Sequence, residues 1–95
     1  MKEKKHLVNE ITNFLKQQVI NNTQVEIGKD EPIIKKGLID SMGIVRLTTH
    51  LQSLYHIEEI QHSDMVLDNF STIDRIASMI LNYIQRENQH HPIHA

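Results

Sequence analysis

The sequence predicts an all-α domain, and three observations carry that prediction. Apolar residues recur at three- and four-residue spacing in three separate stretches, turn-forming residues interrupt them, and no stretch alternates apolar with polar residues as a half-buried strand would. The expected architecture is a four-helix bundle, three helices long and one short, with a long ordered loop between helices one and two.

Helix one is expected over 3–21, where Leu7, Val8, Ile11, Phe14, Leu15 and Val19 form one stripe. Asn21, Asn22 and Thr23 end it, because their side chains compete for backbone hydrogen bonds and favour turns. The connection over 22–39 holds Gly28, Pro32 and Gly37 and has no helical period. It nevertheless carries Val25, Ile27, Ile33, Ile34, Leu38 and Ile39, so it is expected to be pinned over the core.

Helix two is expected over 40–56. Asp40 or Ser41 can cap its first turn, and Ile44, Leu47, Thr48, Leu51, Leu54 and Tyr55 form its inward stripe. A linker from His56 to His62 leads to Ser63-Asp64-Met65-Val66-Leu67, long enough for a short third helix. Ser71-Thr72-Ile73-Asp74 reads as a capping box with Asp in place of Glu. Ile73, Ile76, Ala77, Ile80, Leu81 and Ile84 then continue to about residue 87. Pro92 and three His without a period make 89–95 a flexible tail after a single domain over 1–88.

Composition narrows the function. The chain has 95 residues, so one small core must use most of its apolar positions. With no Cys it has no disulfide, zinc-thiolate site or thiol nucleophile, and a cytoplasmic location is the default. No apolar run approaches the ~20 residues of a membrane span, and Met1-Lys2-Glu3-Lys4-Lys5 is followed by no signal core. Twelve acids against ten bases and four aromatic residues argue against a nucleic-acid partner. Charge is uneven: five Lys against three Glu in 1–29, then eight acids against four bases in 30–75.

Catalytic chemistry is sparse. His6, His50, His56 and His62 are scattered, with no pair at metal-ligand spacing beside a carboxylate, and His90, His91 and His94 fall in the tail. They read as solvated side chains, and no metal site is expected. The nucleophile turn of a Ser-His-Asp hydrolase is absent, as is a sheet to carry it.

The segment that departs from this pattern is Gly37-Leu38-Ile39-Asp40-Ser41-Met42-Gly43-Ile44-Val45-Arg46-Leu47. It resembles the acyl carrier protein family of acyl, peptidyl and D-alanyl carriers, whose signature is Asp-Ser-Leu or Asp-Ser-Met at the start of helix two. Pro32-Ile33-Ile34 ahead of it, Leu47 and Leu51 behind it, and Phe70-Ser71-Thr72-Ile73 at the last helix agree, so the resemblance covers about 5–86. It implies that Ser41 is esterified to 4′-phosphopantetheine, donated by coenzyme A under a phosphopantetheinyl transferase. A phosphodiester is favoured at a helix N-terminus, which offers unpaired N–H groups and positive dipole. Asp40 would support the transferase's divalent cation or cap the helix.

The resemblance further implies a carrier rather than an enzyme. It would hold acyl or aminoacyl groups as thioesters and present them in fatty-acid, polyketide or peptide-type biosynthesis. Its partners would be an acyl or aminoacyl ligase and a synthase, transferase or thioesterase, and it would act as a monomer. Met42, Val45 and Thr49 recur at i, i+3, i+7 on a face offset from the core stripe, where partner enzymes of the family dock. Ile60, Met65 and Val66 would form the second rim of that face. Gly43 would admit partners close to the arm, at a helix cost of about 1 kcal/mol relative to Ala. Helix two has Arg46, His50, Gln52 and Ser53 where fatty-acid carriers have acids, so it looks more like a stand-alone carrier of a specialised pathway. The reading from a different class is a helical protein-interaction module without a prosthetic group.

Overall fold

The computed structural model describes residues 3–90, the side chains of 87–90 excepted. Three α-helices form among them and no strand: α1 (Lys4–Phe14), α2 (Ser41–Tyr55) and α3 (Ile73–His90). α1 packs on α3. Leu7, Ile11 and Leu15 from one side and Ile73, Ile76, Ala77 and Ile80 from the other are fully buried, together with Leu47 and Leu51 of α2. α1 and α2 also meet at their polar edges, where His50 Nε2 lies 3.1 Å from Glu10 Oε2 and its ring stacks on Phe14 at 4.4 Å.

Helix one does not end as a plain α-helix. Residues Leu15–Val19 widen into a π turn in which the Ile20 N–H donates to the Leu15 carbonyl at 2.7 Å. Asn21 then adopts a left-handed conformation (φ 60°), and the Asn22 N–H closes onto the Lys16 carbonyl.

The connection from there to α2 consists of turns. Ile27, Ile33 and Ile39 are buried in it, and two backbone bonds tie it to the start of α3: Ile33 N–H to Ser71 O at 3.0 Å and Asp74 N–H to Lys29 O at 2.9 Å. Glu31 braces the turn by accepting from the Gly28 N–H and from Lys36 Nζ. These bonds and the Lys36 charge hold the Glu31 carboxyl below the usual carboxylate range.

Several expectations need correction. The short third helix at 63–67 is not an α-helix: the chain makes two 3₁₀ turns, His62–Asp64 and Leu67–Phe70. Met65, Val66 and Leu67 are consecutive, so no helical face collects them, and only Phe70 is buried. The cap of α3 is shifted by one residue. Thr72 Oγ1 accepts from the Arg75 N–H at 3.1 Å, while Ser71 Oγ donates to Asp68 O and Asp74 pairs with Lys4. α3 continues to His90, past the predicted end near 87, and the rest of the expected tail lies outside the described residues. Leu54 is 44% exposed, while Tyr55 in the same turn packs against the core. That turn ends at His56, left-handed at φ 58°, and the buried Ile57 follows.

Candidate functional site

The start of α2 is fixed from both sides. Ile39 is buried and anchors the incoming chain, and Asp40, exposed and extended, is the N-cap. Its Oδ1 accepts from the Gly43 N–H at 2.9 Å, and its carbonyl accepts from the Ile44 N–H at 2.9 Å. Ser41 is therefore the first residue of a 15-residue helix, exposed at the positive end of the helix dipole. Of the two residues that could cap this helix, Asp40 is the one that does, which leaves the Ser41 side chain without a capping task.

Gly43 does not open the surface to partners as its position beside Ser41 suggested. It is buried, and a Cβ there would lie 2.8 Å from Ile39 Cγ1 and 3.1 Å from Val19 Cγ1. The absence of a side chain lets the first turn of α2 sit against the π turn and the end of the connection. Val19, Ile20, Leu38, Met42 and Arg46 line a cleft of about 410 Å³ on this flank.

On the other flank Ser41 borders a second cleft, of about 240 Å³, whose remaining walls are Ile44, Val45, Met65, Val66, Leu67 and Phe70. Ser41 is its one polar residue. α2 supplies one wall and the two 3₁₀ turns supply the other, so a group attached to Ser41 Oγ meets apolar surface within reach of its first atoms.

The proposed face around Ser41 assembles in part. Met42, 67% exposed, Val45 and Thr49 project from α2, and Met65 and Val66 are exposed opposite them. Ile60 is not part of this rim: it is 8% exposed and belongs to the core, because the chain turns inward there before the first 3₁₀ turn. The residue that sequence reasoning missed is Leu67, as exposed as Met42. Its signal was the uninterrupted run Met65-Val66-Leu67 in a segment too short to bury all three.

The charges around Ser41 are few. Among the described residues no ion pair involves Asp40 or Arg46, and of the two acids that flank Met65-Val66-Leu67, Asp68 is paired with Arg75 at 2.7 Å and Asp64 accepts from the Tyr83 hydroxyl. No three His, Asp or Glu side chains among the described residues converge into a metal-binding group, and no helix there is long and apolar enough to cross a membrane. The chain matches no family model, and comparison with curated proteins and with solved structures gives no match.

Proposed function

We propose that this chain is a carrier protein of the acyl carrier type, a substrate of other enzymes that carries 4′-phosphopantetheine on Ser41. The observation that supports this reading above the others is Ser41 itself: exposed, freed from capping by Asp40, at a helix N-terminus and on the edge of an apolar cleft. In the attachment step Ser41 Oγ bonds to the phosphorus that bears the pantetheine of coenzyme A. The bond to the second phosphate breaks, adenosine 3′,5′-bisphosphate leaves, and the hydroxyl proton passes to a base of the transferase. The first-turn N–H groups and the dipole at Ser41 would favour the negative charge of such a phosphodiester.

The group supplies a terminal thiol for thioesters, which a chain without cysteine does not have. The residues present fit such a group, since Ser41 is exposed among the described residues. Met42, Val45, Met65, Val66 and Leu67 give an apolar docking rim for the ligase, synthase, transferase or thioesterase that would load and unload it. The architecture of the reading is the four-helix carrier bundle, with the two 3₁₀ turns in place of its short helix.

The same exposed rim favours a second reading, a helical interaction module that binds a protein partner and carries no arm. Incubation with coenzyme A, magnesium and a broad-specificity phosphopantetheinyl transferase separates the two by intact mass. The carrier gains one phosphopantetheinyl group, and Ser41→Ala gains nothing. A folded wild type that gains no mass would sink the carrier reading and leave the interaction module.

A further inference from the structure

Between the buried anchors Ile60 and Phe70 run nine residues, 61–69, none of them buried. This strap carries Met65, Val66 and Leu67, most of one wall of the cleft at Ser41, yet no burial of its own side chains holds it in place. Its own backbone bonds are local: Asp64 N–H to Gln61 O, Met65 N–H to His62 O and Asn69 N–H to Val66 O. Asn69 Nδ2 adds a bond to the Asp64 carbonyl at 2.9 Å, again within the strap.

Beyond the bonds from Ser71, next to the seated end at Phe70, to the Asp68 carbonyl, the strap is joined to the bundle by two side chains of α3. Tyr83 is buried; its Oη accepts from the Gln61 N–H at 2.8 Å and donates to Asp64 Oδ2 at 2.5 Å. Arg75 donates from Nε to the Asp68 carbonyl at 3.0 Å and from Nη2 to Asp68 Oδ2 at 2.7 Å. The two grips are unequal. Both partners of the Arg75 pair are exposed, where water competes for each charge. The Tyr83 hydroxyl ties two points of the strap at once from a buried ring, and its removal leaves a backbone N–H and a carboxylate without their partner.

We propose that Tyr83 is a positioning residue that latches the 61–69 strap to α3 and so sets how often the apolar cleft at Ser41 opens. The strap swings on its two seated ends, Ile60 and Phe70, and opens without disturbing the α1–α3 core. A segment with few buried contacts and exposed backbone bonds lies at the low end of local stability, so one hydroxyl has leverage there that it would lack in the core. The inference rests on the carrier reading only for the use of the cleft. The latch itself requires no arm.

Amide hydrogen exchange on the full chain at neutral pH tests it. Tyr83→Phe keeps the ring, including its packing under Arg86, and removes the hydroxyl. The amides of Asp64, Met65 and Asn69 are expected to exchange about tenfold faster in this variant, while Ile11 and Ile80 keep their protection. Asp64→Ala should reproduce the effect, and Asp64→Asn, which retains an acceptor for the hydroxyl, should restore slow exchange. Strap exchange unchanged in Tyr83→Phe overturns the proposal. So does acceleration by the same factor at Ile11 and Ile80, or equal rates in Asp64→Asn and Asp64→Ala. The outcome is separable from the mass-gain assay: a chain that takes up no arm but loosens its strap on loss of the hydroxyl keeps the latch and loses only its purpose.

Discussion

A Cβ placed on Gly43 would come within 2.8 Å of Cγ1 of the buried Ile39, closer than packed carbons approach. Helix propensity alone favours Gly43→Ala by about 1 kcal/mol. Here the clash wins, because Ile39 is enclosed and Val19 closes the other side at 3.1 Å. The variant is expected to be less stable by about 1–2 kcal/mol in urea unfolding. Combined with Ile39→Ala it should lose less than the two single losses together, since removing the Ile39 side chain makes room for the new methyl.

Leu47, Leu51, Ile76 and Ile80 are each fully buried, and truncation of any one to Ala should cost about 2–5 kcal/mol. Leu54 provides the internal control. It lies in the same periodic stripe as Leu47 and Leu51 but is exposed, so Leu54→Ala should cost under about 0.5 kcal/mol in the same assay.

The contrast between Leu51 and Leu54 marks the limit of what periodicity reveals. Spacing of three and four places the centre of the inward face of each long helix correctly, because positions such as Ile11, Leu47, Leu51, Ile76 and Ile80 all reach the shared core. It does not say how far burial extends to either side of that centre, and Leu54 is exposed while Tyr55 beside it packs against the core. Ile60 and the 63–67 segment were misread for the opposite reason: without a period, burial there depends on where the chain turns, which Tyr83 and Arg75 decide from elsewhere in the sequence. The π turn at Leu15–Val19 left no mark in composition, because its residues fit an α-helix equally well. The helix start at Asp40-Ser41 was legible because both residues can cap a first turn, while Ser41 itself was singled out by the resemblance of Asp40-Ser41-Met42 to the carrier signature.

Asp40 combines two candidate roles that substitution can separate. Asp40→Ala should lower stability by about 1 kcal/mol through loss of the bond to the Gly43 N–H, while Asp40→Asn keeps that acceptor and should stay near wild type. If Asp40 also supports the transferase's cation, Asp40→Asn slows attachment at Ser41 despite intact stability. Equal attachment rates in wild type and Asp40→Asn would leave capping as its sole task.

The Lys4 ammonium, 2.8 Å from Asp74 Oδ1, holds that carboxyl below the usual carboxylate range, with Lys29 contributing. The folded state thus favours the ionised form. The stability this provides is complete above the unfolded carboxyl's pKa of about 4 and disappears as pH falls through the lowered folded value. Asp74→Asn should therefore have a lower urea midpoint than wild type near neutrality, and the gap should narrow in acid.

Docking is expected to depend on apolar contact more than on charge. α2 and its N-cap carry one acid, Asp40, and one base, Arg46, while Glu58 and Glu59 lie on the linker, exposed and screened over about 8 Å at physiological ionic strength. With the broad-specificity transferase as probe, Met42→Ala, Val45→Ala or Leu67→Ala should slow attachment more than Glu58→Gln with Glu59→Gln. Raising salt should change the wild-type rate only a few-fold. Collapse with salt and a silent Met42→Ala would mean electrostatic docking.

The two bonds from the connection to α3 also set a schedule for the newborn chain. Ile33 and Lys29 find their backbone partners at Ser71 and Asp74, roughly forty residues later in the sequence. As the chain leaves the ribosome, α1 and α2 can coil as they emerge. The turns that lead through Leu38 and Ile39 into α2 have no such tie until the first turn of α3 is outside the tunnel. An accessible serine is thus translated well before its surroundings acquire their final shape, and an enzyme that reads those surroundings encounters them only once α3 has begun to form.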